Sequence, residues 1–168
     1  GSRRLSEYQD LKAAASRDSL TSVANRGELE TQLARMLAEF SETKNAKPFS
    51  MIFLDVDFFK NINDTYGHVV GDQVLIDLVK LLQHETYSGE LVGRYGGEEF
   101  LILCPETELS LAFKRAERLR KAIPDSEIEG SADYHITSSF GVTQVEPGAS
   151  VERCLRRVDK ARYPAQED

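Results

Sequence analysis

Glu90-Leu-Val-Gly-Arg-Tyr-Gly-Gly-Glu-Glu-Phe-Leu-Ile-Leu-Cys104 contains two strand-like runs, 90–95 and 98–104, separated by Gly96-Gly97. Paired glycines tolerate the positive φ angles of a two-residue turn, so this stretch is expected to form a β-hairpin. Upstream, Phe49-Ser-Met-Ile-Phe-Leu54 is a short, continuous apolar run, the pattern of a central strand covered on both faces. Helical patterns surround these strands. Leu29, Leu33, Met36, Leu37 and Phe40 repeat at the 3.6-residue period and predict a helix over 26–41. A short helix or turn is expected at 58–66, a loop punctuated by Gly67 and Gly71 after it, and a longer helix from about 71 to 86. Further helices are expected over 108–123, ended by Pro124, and over 151–162. Tyr134–Val145 reads as one long strand with a bulge at Gly141. A hairpin set among helices predicts an α+β fold, a central mostly antiparallel sheet flanked by helices, rather than a doubly wound parallel one.

The chain has 168 residues, of which 40% are apolar and 29% charged, enough for one domain with a core and a short appendage. Residues 1–16 are expected as a linker or signalling helix (Gly1-Ser2 having the look of a cloning remnant), and 17–168 as the domain. Leu5, Tyr8 and Ala15 fall near heptad positions, but Lys12 interrupts the seam, so a coiled-coil stalk and a solvated helix remain equal readings. No apolar run approaches the ~20 residues of a membrane span. The domain is therefore expected in the cytoplasm without inserting into a membrane, any anchor being supplied upstream. Cys104 and Cys154 are too few and too far apart for a disulfide framework or zinc site and suit a reducing compartment. A net charge of −7 argues against a nucleic-acid polymer as partner. An acidic protein that holds a polyanionic nucleotide needs a divalent cation.

The expected chemistry starts at Asp55, where the buried strand ends and side chains can emerge into a cleft. Glu98 and Glu99 follow the glycine turn directly. Strand side chains alternate, so a regular hairpin gives only one of these two glutamates Asp55's side. Carboxylates gathered at one rim repel each other unless a cation neutralises them, and hard oxygen donors suit Mg²⁺ or Mn²⁺. Taken singly, each acid also fits a solvated turn.

Longer motifs decide between these readings. Arg94-Tyr-Gly-Gly-Glu-Glu-Phe100 resembles the signature of the diguanylate cyclase family, the GGDEF domains. Leu54-Asp-Val-Asp-Phe-Phe-Lys60, with Ile62-Asn63-Asp64, Gly67-His68 and Gly71-Asp72, resembles that family's other long motif. Asp18, Leu20-Thr21 and Asn25-Arg26 resemble its opening segment, and Ser139-Phe-Gly-Val142 its late strand. The match runs from about Asp18 to Tyr163. It implies a nucleotidyl-cyclase or palm-like fold. It also implies condensation of two GTP into cyclic di-GMP with release of two pyrophosphates, across two copies of the domain under an upstream sensor.

By the same resemblance, Asp55, the Val56 carbonyl and Glu98 hold two Mg²⁺ or Mn²⁺ ions, with Glu99 as a further candidate ligand or a partner of Arg94. Glu98 also matches the acceptor of the 3′-hydroxyl proton, and Lys60 a residue that neutralises transition-state charge, against the plainer reading of a solvated lysine. Asn63 and Asp72 match the guanine readers and His68 a substrate contact, while Gly96 and Gly97 let phosphates approach. Phe58 and Phe59 stand as substrate-binding candidates through base stacking, although aromatics after a strand are more often core, the preferred reading of both. Two departures stand out. Tyr87-Ser-Gly-Glu90 replaces the family's Arg-x-x-Asp inhibitory site, so no tight product inhibition is expected there. Gln166 replaces a phosphate-contacting lysine, and the arginine that follows in the family lies beyond Asp168. A receptor that binds GTP or cyclic di-GMP without turnover is thus the alternative, and a cyclase acting on ATP a third.

Overall fold

A computed structural model describes residues 4–8, 15–125 and 135–163. The elements run α1 (Arg26–Glu42), β1 (Ser50–Val56), α2 (Phe59–Tyr66), α3 (His68–Glu85), β2 (Leu91–Arg94), β3 (Glu99–Cys104), α4 (Leu109–Asp125), β4 (Ser138–Gln144), α5 (Val151–Lys160) and β5 (Arg162–Tyr163). The strands form one sheet in the order β2-β3-β1-β4-β5, each named pair antiparallel. The fold is α+β, as expected.

β1 is the central strand and every one of its residues is buried, which explains its unbroken apolar run. On one face Ile52, Leu54, Val56, Phe100, Ile102 and Phe140 pack against Val74, Leu75 and Leu78 of α3 and Ala112, Ala116 and Leu119 of α4. On the other, Met51, Phe53, Leu101 and Leu103 meet Leu29, Leu33 and Leu37 of α1 and Cys154 and Val158 of α5. The period-2 alternation of β1 and β3 thus feeds two separate cores. α1 starts where the Asn25 side chain accepts the Glu28 amide at 2.9 Å, a side-chain N-cap.

Several local expectations are corrected. The Gly96-Gly97 turn is wider than two residues: Tyr95–Glu98 separate the strands, the amides of Tyr95 and Gly96 both reach the Glu99 carbonyl, and neither glycine has positive φ. A Cβ at Gly96 would lie 2.1 Å from the Glu99 carboxylate and would push that side chain aside. Gly71 does not punctuate a loop but sits inside α3, which begins at His68 after Gly67 turns the chain at φ 93°. A Cβ at Gly71 would lie 1.8 Å from the Asn63 side chain, so the glycine lets α2 and α3 close on each other. Gly141 makes no bulge; it pairs with Phe53 in register, and a Cβ would meet the Val158 carbonyl at 2.2 Å. Pro124 lies in the last turn of α4, where its missing N–H removes one terminal bond, rather than stopping the helix before it. α5 ends at Lys160, and Arg162 and Tyr163 pair with Gly141 and Phe140 as an edge strand. β4 begins at Ser138; Tyr134 lies outside the described residues. Residues 4–8 are helical and exposed, while 1–3 and 9–14, and with them half of the helix expected ahead of the domain, lie outside the described residues.

Candidate active site

Asp55 continues the face of β1 that carries Met51 and Phe53, and it pairs in register with Glu99 of β3. Directly paired antiparallel residues project to one side of the sheet, so Glu99 is the glutamate that shares Asp55's face. Glu98 precedes the strand, freed from its alternation, and its carbonyl accepts the Val56 amide at 3.1 Å. Asp57 leans the other way along the rim, held by the hydroxyls of Thr137 (2.8 Å) and Ser139 (2.6 Å). Asp55 is 8% exposed. Burial, then its neighbours Glu98, Glu99 and Asp57, push its carboxyl up to about 6, while Arg162 pulls the other way. Burial and Glu98 likewise raise Glu99, again against Arg162.

The hairpin tip is fixed from outside. Arg94 donates to the carbonyls of Gly96 and Gly97 and to both oxygens of Asp18 at 3.2 Å. Its expected pairing with Glu99 is therefore replaced by one with Asp18, because Arg94 stands in register with Phe100 instead. Asp18 in turn accepts the amide and hydroxyl of Thr21. Tyr95 packs edge-on against Phe53, and the Arg26 guanidinium lies 4.3 Å from the Tyr95 ring centre. A cleft of about 370 Å³ opens beside Glu99, lined also by Arg26, Tyr95 and Asp159.

α2 and α3 leave the same end of β1. Lys60, His68 and Asp72 are exposed, and Asn63 is half-buried over Gly71. Phe59 packs on the core, whereas Phe58 is 60% exposed with φ 55°. The core reading of Phe58 is thus overturned: the left-handed turn that swings the chain from β1 into α2 presents its ring to solvent. Lys60, Asn63, His68 and Asp72 do not line the cleft beside Glu99; they stand on an open surface on α2 and α3.

Asp55 does not face its acidic neighbours unpaired. The Arg162 guanidinium donates to its carboxylate, approaches Asp159 at 3.9 Å and lies 5.8 Å from the Phe53 ring centre. Among the described residues, no three Asp, Glu, His or Cys side chains are gathered into an ion cage. The donor types still suit a hard divalent cation: Asp55 lies in register with Glu99, Glu98 adjoins through its carbonyl's bond to the Val56 amide, and such oxygen donors are those that Mg²⁺ or Mn²⁺ takes.

A family model for the diguanylate cyclase GGDEF domain matches residues 15–168. The chain belongs to the GGDEF diguanylate cyclase family. It is 37% identical over 168 residues to the diguanylate cyclase DgcM of Escherichia coli, covering 99% of this chain and 39% of that protein. The chain thus spans about two-fifths of that relative's length. Among solved structures, the coiled coil and GGDEF domain of DgcB from Caulobacter crescentus, in complex with c-di-GMP, superposes with a TM-score of 0.86 at 29% identity, over 95% of this chain and 85% of that one. The active GGEEF domain of a diguanylate cyclase from Vibrio cholerae does so at 0.77 and 34%, over 85% and 90%.

In this GGDEF domain Glu90, the last of the four positions Tyr87–Glu90, is tied up internally. The Glu90 carboxylate takes the Arg115 guanidinium bidentately, one contact at 2.6 Å, with the two side chains 4% and 5% exposed. The Arg115 guanidinium carbon lies 4.5 Å from the Tyr87 ring centre. A carboxylate so paired and desolvated is not available to a ligand. Sequence reasoning missed Arg115 and Arg162 because each sits in a helical pattern where an arginine reads as solvated. Only the tertiary fold shows that one faces Glu90 and the other Asp55.

Proposed function

We propose that this domain is a diguanylate cyclase, joining two GTP molecules into cyclic di-GMP and releasing two pyrophosphates across a pair of domains. The observation that carries this is the register of Asp55 with Glu99, beside the bond from the Val56 amide to the Glu98 carbonyl. It puts the acids of two separate motifs on one rim, next to the helices that bear the base-reading candidates.

Asp55, the Val56 carbonyl and Glu98 would hold two divalent ions, with Glu99 beside them; such ions would neutralise phosphate charge and ease ionisation of the attacking hydroxyl. Glu98 accepts the 3′-hydroxyl proton as that oxygen attacks the α-phosphate of the nucleotide on the second copy. Gly96 and Gly97 present backbone without side chains, so the phosphates approach closely. Lys60 places positive charge against the phosphates as the transition state forms. Asp72 accepts from guanine N1–H and N2–H and Asn63 completes the edge, a match that adenine leaves unpaired. His68 contacts the substrate from the start of α3. Exposed at the strand end, Phe58 offers its ring to the base, while Phe59 supports α2 from the core. Catalysis is then mostly positioning and charge neutralisation, as in other phosphoryl transfers.

Incubation with GTP and Mg²⁺, and separately with ATP and Mg²⁺, tests this by following pyrophosphate and cyclic dinucleotide. GTP turnover that falls at least ~100-fold in Glu98→Gln supports the cyclase. Binding without turnover supports the second reading, a GTP or cyclic di-GMP receptor, favoured by Gln166 in place of the family lysine. Preference for ATP contradicts both.

A further inference from the structure

Asp55 has a cation already on it. Arg162, first residue of the edge strand β5, reaches back across 107 positions of sequence to the Asp55 carboxylate. The contact is placed by the fold rather than by chance on a mobile surface. Backbone pairing with Gly141 fixes the arginine, and Gly141 itself admits the close passage of α5 because any Cβ would strike the Val158 carbonyl. The guanidinium lies 5.8 Å from the Phe53 ring centre and 3.9 Å from Asp159. Arg162 therefore occupies the Asp55 carboxylate that a divalent cation would use. Its side chain remains 32% exposed, against 11% for the Asp55 side chain, so the arginine is the partner with open space to turn into.

We propose that Arg162 is a resident counter-ion of the catalytic acids, which the divalent cation displaces and which then turns to the nucleotide's phosphates. The inference rests on the cyclase reading of the Asp55 rim. Two cations cannot share one carboxylate at close range without mutual repulsion, so metal alone binds against the cost of dislodging Arg162. A nucleotide lifts that cost. It brings a polyanion beside the metal, and the planar guanidinium fork matches phosphate oxygens as well as it matches a carboxylate. Arg162 is then a positioning residue that couples metal to substrate: it makes the acids poor at holding metal without nucleotide and adds a donor to the phosphates once both are present. Any two ligands linked through one such element bind cooperatively to the extent that each shifts it.

The test titrates Mn²⁺ alone into the chain and follows free Mn²⁺ by electron paramagnetic resonance. It is paired with 3′-deoxy-GTP binding at saturating Mn²⁺, which reads the phosphate grip without turnover. Arg162→Gln is expected to bind Mn²⁺ roughly tenfold more tightly than the parent and 3′-deoxy-GTP several-fold more weakly. Arg162→Lys keeps a charge at the site, so its Mn²⁺ affinity should stay near the parent's. Unchanged Mn²⁺ affinity in Arg162→Gln, unchanged nucleotide affinity, or equal tightening of Mn²⁺ in the Gln and Lys variants would each overturn the proposal. Asp55→Asn separates this failure from failure of the underlying site. If it abolishes Mn²⁺ binding while Arg162→Gln does nothing, only the counter-ion role falls; if it leaves Mn²⁺ binding intact, the metal-site reading falls too.

Discussion

Asp18 shows how a single carboxylate far from the chemistry supports it. Burial would raise its pKa, but the Thr21 hydroxyl and amide and the Arg94 guanidinium outweigh burial and leave it lowered. A lowered folded value means stability that is present above the ordinary aspartate range and lost as pH falls through the folded pKa. Asp18→Asn should therefore cost about 1–2 kcal/mol in urea melts at pH 7, a deficit that holds down to about pH 4 and shrinks below it. A deficit independent of pH would show that charge is not the cause. Glu90 is the opposite kind of residue, a buried ion compensated by the Arg115 guanidinium and the Tyr87 amide. Glu90→Gln strands that arginine and should cost about 3–5 kcal/mol. Calorimetry on nucleotide-free protein should detect no tight cyclic di-GMP binding that depends on Tyr87 or Glu90; binding of that kind would contradict the internal pairing.

Elements carry the positions of these residues, and glycine decides two of their contacts. Gly141→Ala places a methyl 2.2 Å from the Val158 carbonyl, and backbone cannot yield as a side-chain tip would. The variant should lose about 1–3 kcal/mol of stability and, by pushing α5 and β5 off the sheet, loosen Arg162. Melts together with Mn²⁺ binding check this; an unperturbed melt would place the helix farther from the strand than described. Which parts of this were legible in the chain follows from what each signal reports. Apolar periodicity reports burial, so α1, β1 and the hairpin strands emerged within a few residues of their ends. A glycine reports only that a side chain is not tolerated. A loop at Gly71 and a bulge at Gly141 are therefore what the sequence suggests, whereas each glycine accommodates a neighbouring element. β5 was invisible because two residues have no period. The strand end and the glycine turn single out Asp55 and the hairpin acids, motif resemblance gives them a role, and the sheet register shows that Glu99, rather than Glu98, lies directly across from Asp55.

At the scale of the whole molecule, the proposed cyclase reading gives each domain one nucleotide site, so joining two nucleotides would need two copies. Specific activity should rise with protein concentration until the pair is saturated, and a flat profile across a wide dilution series would count against the two-domain mechanism. Helical residues precede the domain at 4–8, and a solved relative carries a coiled coil ahead of its GGDEF domain. Replacing residues 3–16 with a strong dimerising coiled coil should raise activity at low protein concentration, and no gain would argue that this segment does not control pairing. Beneath all of these lies the claim that acids from the end of β1 and the hairpin tip hold divalent cations under a nucleotide's phosphates. A crystal of the chain grown with Mn²⁺ and 3′-deoxy-GTP, examined by anomalous diffraction, tests it most directly. The account predicts manganese about 2.0–2.3 Å from oxygens of Asp55, the Val56 carbonyl and Glu98, with phosphate completing the coordination. Manganese bound elsewhere, or phosphates seated away from that rim, would contradict it.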